Sequence, residues 1–215
     1  MPGRNKGREP EMTRTFIAVE LSEEAHRHLR NEIRRLAQTL PRLRWVEPAS
    51  LHLTLAFLDE LDDGQLKTAS QIALEVAQTT KSFTLTIGTL GIFGPAYSPR
   101  VIWAGVDGHL QRLVDLQSRL ATRLASSGFP PDDRPYSPHL TLARIKERLT
   151  DQELIVLRRL IPTSPTARAK QSASSPLNDA STPNIPVEHL SVMKSELLRT
   201  GPRYTRLLLC PFETI

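Results

Sequence analysis

The sequence has a single cysteine, Cys210, among its 215 residues. One thiol cannot form an internal disulfide, and it cannot supply the several thiolates of a structural zinc site. We therefore expect Cys210 to be a buried, reduced side chain of a protein in a reducing compartment. Because 39% of the residues are hydrophobic, the chain has enough apolar material for a core without covalent cross-links.

Long apolar segments are also absent. No stretch approaches the ~20 consecutive apolar residues that a membrane-spanning helix requires. Residues 1–13 are polar and lack the apolar run of a secretory signal, so we expect a disordered tail and a cytoplasmic protein that does not bind membranes. The net charge of +5 is compatible with a polyanionic partner and equally with a generally basic surface.

An internal repeat is the strongest pattern that the chain does contain. The hexapeptide His52–Phe57 recurs as His139–Arg144, at an offset of 87 residues. The apolar run Thr15–Glu20 aligns at the same offset with Ile102–Asp107, and both runs are typical of strands. Each half then reads as strand, helix, strand, helix, strand, which predicts two pseudo-symmetric α+β lobes with a cleft between them.

Helical periodicity supports this reading of the halves. Ser22 is a suitable N-cap for a helix that Pro41 ends, and leucines spaced three or four residues apart mark the corresponding helix of the second half. By contrast, residues 162–186 are rich in Ser, Thr, Pro and Ala and have almost no large apolar side chains. We expect this segment to be a flexible inserted loop.

The repeated motif can place reactive side chains on one face of a strand. Because alternate residues of a strand share a face, His52 and Thr54 point one way while the intervening leucines enter the core, and the same holds for His139 and Thr141. One imidazole can accept a proton while another donates one, and threonine hydroxyls can bind phosphate oxygens. A pseudo-twofold would bring both pairs to one cleft, in an arrangement suited to metal-free phosphoester cleavage.

Other catalytic classes have little support. Two histidines could bind zinc, but no Asp, Glu or Cys stands at a ligand spacing from either one. There is no Gly-x-Ser-x-Gly turn and no glycine-rich phosphate loop at the start of a helix. We therefore expect no cofactor and no metal, with a zinc site as the rival interpretation.

The paired His-x-Thr-x motifs resemble those of the two-histidine (2H) phosphoesterase superfamily. The wider context is similar to the branch called RNA 2',3'-cyclic phosphodiesterases, also named 2'-5' RNA ligases. The resembling stretches cover most of residues 14–212, and they are Arg14–Leu21, Arg44–Val46, Leu51–Leu58, Arg100–Val106, Arg134–Arg144, Ser195–Leu197 and Gly201–Tyr204. The resemblance implies an α+β fold over residues 14–212, forming a single bilobal domain with two antiparallel sheets that line a central groove and with helices outside.

The same resemblance implies roles for individual residues. His52 and His139 would form the acid–base pair, and Thr54 and Thr141 would hold the phosphate. Arg144 corresponds to an arginine that contacts phosphate in the family. In an ideal strand it would point away from the face of His139, so a bend or bulge after Leu142 must redirect it, or it is only a surface charge.

Four further residues are candidates for contact with RNA. Phe57 stands where Arg144 stands in the other motif, and it is either a base-stacking aromatic or a core residue. Tyr136 precedes the second motif, and Arg44 and Trp45 precede the first.

The resemblance implies metal-independent hydrolysis of an RNA terminal 2',3'-cyclic phosphate to a 2'-phosphate, with reverse 2'-5' RNA ligation as an additional activity. The expected partners are RNA ends or small cyclic nucleotides, bound by a monomer. Two alternatives stay open. One is a 2'-5' oligonucleotide or small cyclic-nucleotide phosphodiesterase with the same site, and the other is a non-catalytic RNA-binding module.

Overall fold

The computed structural model describes residues 12–161, 182–199 and 201–213. In these ranges the chain forms nine strands, four α-helices and a 3₁₀ turn at Pro48–Ser50. The strands are β1 (Thr13–Glu20), β2 (Arg44–Trp45), β3 (His52–Leu61), β4 (Phe83–Phe93), β5 (Val101–Gly108), β6 (Leu140–Arg144), β7 (Asn184–Val187), β8 (His189–Leu198) and β9 (Gly201–Pro211). The helices are α1 (Glu23–Thr39), α2 (Asp63–Gln78), α3 (Leu110–Ser126) and α4 (Asp151–Leu160).

The helices begin where the sequence supplies caps. The Ser22 side chain accepts a hydrogen bond from the Ala25 amide at the start of α1, and Asp62 and Thr150 begin α2 and α4 with reciprocal capping boxes. The apolar stripes of α1 and α3 are buried, which confirms the predicted periodicity.

Two antiparallel sheets form the centre of the molecule. Sheet I has the strand order β3-β1-β8-β9, and sheet II has the order β2-β6-β5-β4-β7. Every pairing between these strands is antiparallel. Helix α2 packs against β1, β8 and β9 of sheet I, and one continuous apolar core joins both sheets to the helices. The predicted α+β architecture with two antiparallel sheets is thereby confirmed.

The sheets do not correspond to the two sequence halves. Strand β4 closes the first half but pairs with β5, the first strand of the second half. Likewise β8, late in the second half, pairs with β1 at the start of the first. Each repeat thus contributes a strand to the sheet of the other repeat: β4 extends sheet II, and β8 extends sheet I. In these positions the backbone N–H and C=O groups of β4 and β8 are hydrogen-bonded to the opposite repeat.

Two boundaries differ from the sequence-based expectations. Strand β1 begins at Thr13, so the tail predicted over residues 1–13 is one residue too long; residues 1–11 lie outside the described ranges. The loop predicted over residues 162–186 is wrong at its end, because Asn184–Val187 pairs with β4 as an edge strand. Over these four residues, exposed and buried side chains alternate, but the alternation is too short for periodicity in the sequence to distinguish a strand from a loop. Residues 162–181 are outside the described part of the chain.

Cys210 is buried, as expected, and burial raises the pKa of its thiol to about 11. Among the described residues, no helix combines the length and apolar character that crossing a bilayer demands.

Candidate active site

The two histidines lie at equivalent strand starts in opposite sheets. His52 is the first residue of β3 in sheet I, and His139 directly precedes β6 in sheet II. Strands β3 and β6 come within 8 Å of each other between Cα atoms. The structure therefore brings the two repeats of the motif to the same groove between the sheets.

Both rings are held by the same backbone contact. Nδ1 of His52 lies 2.8 Å from the carbonyl oxygen of Ser50, and Nδ1 of His139 lies 2.7 Å from that of Ser137. A carbonyl oxygen only accepts hydrogen bonds, so each Nδ1 carries a proton and donates it. In each neutral ring the lone pair is then on Nε2, which is left available for proton transfer.

Aromatic side chains flank each ring. Phe16 and Tyr204 lie beside His52, at centroid distances of 4.6 and 5.0 Å. Phe93 meets His139 edge-on at 4.8 Å, and Trp103 is 6.4 Å away. Phe16 and Trp103 are related by the 87-residue repeat. These apolar walls restrict the rings to narrow orientations and remove them partly from water.

Desolvation lowers the pKa of His52 below its ordinary value, and the positive charges of Arg144 and His139 lower it further, against the hydrogen bond to Ser50 and the carboxylate of Glu20. The pKa of His139 is lowered for the same main reason, burial, with a further contribution from Arg144. Because Arg144 affects both rings and His139 affects His52, these three side chains lie close enough to share one site.

The motif threonines line the same face. Thr54 lies opposite Ala18, and Thr141 lies opposite Trp103. Both side chains are half-buried, and neither hydroxyl has a hydrogen-bond partner within the described residues. Each hydroxyl is therefore available to an incoming acceptor such as a phosphate oxygen.

A β-bulge decides the direction of Arg144. In the pairing of β5 with β6, Ile102 is opposite Ala143 and Trp103 is opposite Thr141, so Leu142 is the extra residue. Leu142 and Ala143 are both buried, and Arg144 is exposed on the face that Thr141 occupies. Of the two alternatives that the sequence left open for Arg144, the bulge is present, and Arg144 faces the groove.

Phe57 is redirected in the same way. Strand β3 has an irregularity at Leu55, after which Phe57 pairs with Phe16 on the groove side. The ring is 62% exposed, and its centroid lies 6.0 Å from that of Phe16. Phe57 is therefore a surface aromatic beside Phe16, which in turn flanks His52, and it is not a core residue.

The other three candidates for contact with RNA differ in where their side chains lie. Arg44 lies directly opposite Arg144, on the groove side of sheet II. Trp45 lies opposite buried Ala143 and donates from its indole nitrogen to the carbonyl of Leu40, so it faces the core and not the groove. Its position beside Arg44 in sequence puts it on the opposite face of a strand.

The Tyr136 side chain is largely buried and bonds to the protein backbone, so it is not freely exposed in the groove. Its hydroxyl donates to the backbone carbonyl of Thr54 at 3.3 Å, and burial raises the pKa of the phenol. The side chain thereby ties the approach to the second motif to the strand that carries the first.

Sequence reasoning missed an acidic neighbour of His52. Glu20 lies opposite His52 in the β1–β3 pairing, and its carboxylate also pairs with Arg206 at 2.9 Å. The register of the two strands places Glu20 there, and a single sequence does not give that register. The repeat offset relates Glu20 to Asp107, which does not appear among the groups that shift the pKa of His139.

No group of three or more His, Cys, Asp or Glu side chains is close enough to bind a metal ion within the ranges that the structure describes. The candidate site therefore consists of the imidazoles of His52 and His139, the hydroxyls of Thr54 and Thr141 and the guanidinium group of Arg144, around one groove.

Known proteins resemble this chain in sequence over most of its length. The chain matches the family described as LigT like Phosphoesterase over residues 19–103 and 105–204. It is 28% identical over 202 residues to the RNA 2',3'-cyclic phosphodiesterase of Thermotoga maritima, an alignment covering 93% of this chain and 96% of that protein. The protein of the same name from Methanothermobacter thermautotrophicus is 29% identical, with 89% and 95% covered.

Solved structures agree with the sequence comparisons. The crystal structure of E. coli LigT in apo form superimposes with a TM-score of 0.68 at 25% identity, over 95% of this chain and 99% of that one. The complex of E. coli LigT with 3'-AMP gives a TM-score of 0.66 at 26% identity, over 95% of this chain and all of that one. By the extent of the family match and the shared fold, this chain belongs to the LigT-like phosphoesterase family.

Proposed function

We propose that this protein hydrolyses the 2',3'-cyclic phosphate at the end of an RNA strand to a 2'-phosphate, without a metal ion. The convergence of His52 and His139 on one groove is the observation that carries the proposal. The names of the relatives from Thermotoga and Methanothermobacter support the substrate class.

The chemistry requires one general base and one general acid on opposite sides of phosphorus. In the proposed step, Nε2 of His139 accepts a proton from water, and the water oxygen forms a bond to phosphorus. The bond from phosphorus to the 3'-oxygen breaks, and His52, in its imidazolium form, donates the proton on Nε2 to that oxygen. The products are a 2'-phosphate and a 3'-hydroxyl, and exchange with solvent restores both rings.

Glu20 is the reason for assigning the acid to His52. Its carboxylate favours the imidazolium form of His52, whereas no carboxylate contributes to the pKa of His139. Thr54, Thr141 and Arg144 would hold the non-bridging oxygens and neutralise the charge that develops on them. If a 5'-hydroxyl replaces water, the same step forms a 2'-5' linkage, which is the proposed ligase activity.

The decisive experiment is turnover of a short RNA that ends in a 2',3'-cyclic phosphate, in the presence of EDTA, with the product end identified by ³¹P NMR. We expect a 2'-phosphate. His52→Ala and His139→Ala should each lower kcat/KM by a factor of about 10³ or more. His109→Ala is the matched control, because His109 is exposed and bonds to the backbone at Thr84, outside the groove.

Three results would contradict the proposal in different ways. Full activity in either groove variant would remove the two-histidine mechanism. Loss of turnover in EDTA, restored by added zinc, would identify a metal enzyme. RNA binding without any turnover would indicate the non-catalytic RNA-binding alternative.

A further inference from the structure

A second cationic site adjoins the proposed catalytic centre. A cavity of about 240 Å³ lies at the edge of sheet II, where β2 meets the end of β6. Five cationic and two acidic side chains line it, among them Arg144 of the candidate active site. The cavity and the catalytic groove therefore share one side chain.

The cations of this cavity are only partly neutralised. Arg42 pairs with Glu147 at 3.6 Å and with Glu153 at 3.5 Å, and these are the two carboxylates of the lining. Arg44, Arg144, Lys146 and Arg148 form no ion pair with any described residue. A net of three positive charges is thus concentrated in a small space, where it attracts an anion.

The strand pairing makes this concentration unfavourable for an empty site. Arg44 and Arg144 are direct cross-strand partners, and like charges at such positions repel each other. An anion between the two guanidinium groups would offset that repulsion with charge-assisted hydrogen bonds. The Arg44 guanidinium also reaches toward sheet I, since a Cβ atom on Gly201 at the start of β9 would lie 3.9 Å from Arg44 Nη2.

The remaining cations are presented by an anchored turn. Ile145 and Leu149 are buried in the core, and the Ile145 amide donates to the carbonyl of Arg100 at 2.8 Å. Between these anchors, Lys146 and Arg148 are exposed at the cavity. Their backbone is therefore positioned before any ligand arrives, which lowers the entropic cost of binding.

We propose that this cavity binds the phosphate on the 5'-oxygen of the terminal nucleoside, that is, the first phosphodiester of the RNA strand leading away from the cyclic end. The inference rests on the proposed function, because it takes the cyclic phosphate to lie beside His52 and His139. The volume is smaller than the ~300–1,000 Å³ that encloses a whole small molecule, so it suits one phosphate group with part of its sugar. The protein therefore distinguishes RNA ends from free cyclic nucleotides.

A series of three substrates tests this proposal: a nucleoside 2',3'-cyclic phosphate, the same compound with a 5'-phosphate, and a dinucleotide ending in the cyclic phosphate. We expect kcat/KM to rise about tenfold when the 5'-phosphate is added, whether as a monoester or as a diester. If kcat/KM rises only for the dinucleotide, the cavity recognises the phosphodiester of the RNA backbone. If kcat/KM rises equally for both compounds, the cavity recognises the negative charge of the phosphate alone. Either result supports the site.

The variant K146Q/R148Q should lose most of that gain, about five- to tenfold, while it hydrolyses the unphosphorylated compound like the original protein. The control is R30Q/K67Q, which removes the same charge from exposed positions on α1 and α2. If both double variants respond alike, the effect is only net charge, and the proposal fails. It fails equally if K146Q/R148Q keeps the full gain.

Binding measured without turnover separates this inference from the proposed function. A fluorescent trinucleotide that ends in a 2'-phosphate is titrated into the protein and into both double variants. We expect weaker binding and a shallower salt dependence for K146Q/R148Q alone. If none of the three cyclic phosphates is hydrolysed, the proposed function is wrong, and this titration still decides whether the cavity binds the strand; equal affinities would overturn the inference.

Discussion

The two repeats present their histidines in the same way and surround them differently. Each ring donates from Nδ1 to a serine carbonyl two residues earlier, and each strand bulges after its threonine. After the bulge, however, the first repeat exposes Phe57 and the second exposes Arg144. The two repeats thus share the orientation of the imidazoles, whereas the equivalent neighbouring position holds an aromatic ring on one side and a guanidinium group on the other.

The charged groups around the two imidazole rings also differ between the repeats. His52 has the carboxylate of Glu20 among its neighbours, and the pKa of His139 is shifted by burial and by Arg144 without a carboxylate. A symmetric scaffold therefore holds two chemically unequal imidazoles, which is what an acid–base pair requires.

The largest difference is expected between Arg144→Gln and Phe57→Leu. Arg144→Gln should lower kcat/KM for a cyclic mononucleotide about 100-fold, because the variant lacks the cationic hydrogen-bond donor that stabilises the negative charge developing on the phosphate oxygens. It should also move the pH profile upward, since the guanidinium lowers the pKa of both His52 and His139. Phe57→Leu should change the rate less than about threefold, because it removes only a stacking surface. Equal losses in steady-state assays would contradict this division of roles.

The motif threonines should behave as equals. Thr54→Val and Thr141→Val each remove one hydroxyl while keeping the shape of the side chain. Each should lower kcat/KM about tenfold, the effect of one lost hydrogen bond. A large loss in one variant with none in the other would show that the phosphate is held by a single repeat.

The aromatic wall of His139 depends on a close approach of two strands. The Trp103 indole lies over Gly91, where a Cβ atom would be 2.1 Å from the ring. Gly91→Ala should displace the indole and lower the free energy of unfolding by about 1–3 kcal/mol, with a reduced Tm in calorimetry. Gly105→Ala is the control, because a Cβ atom there has ordinary contacts of 3.4 Å or more. If both variants keep their Tm, this packing is looser than the structure indicates.

The smallest expected effect concerns the acid. Glu20 raises the pKa of His52, so Glu20→Gln should lower that pKa, and the alkaline limb of kcat/KM should move down by about 0.2–0.7 pH unit. Arg206→Gln frees Glu20 from its cation and should move the limb in the opposite direction. Shifts of the acidic limb instead, in a pH–rate series, would assign the acid to His139.

Much of this site was readable from the residue pattern because it depends on local periodicity. Alternation along a strand predicted that His52 and Thr54 share a face. The parity of Arg144 left two alternatives, a bend or bulge after Leu142 or a mere surface charge, and the β5–β6 pairing contains a bulge at Leu142. Proximity in sequence to a motif did not say which face of β2 Trp45 occupies, nor that Tyr136, which lies in the segment before β6, bonds to the backbone of Thr54. The strand at Asn184–Val187 is not predictable from the sequence, because four residues carry too little periodic signal.

The amino-acid sequence by itself determined the repeat, the helix limits and the chemical types of the motif side chains, because these depend on residue identity and on spacings of a few positions. Only the tertiary structure decided that the repeats exchange strands, that Glu20 lies opposite His52, and that Arg44 lies opposite Arg144 beside Lys146 and Arg148. Those facts arise from the pairing of strands distant in sequence, and register between such strands is set by the packing of the whole core.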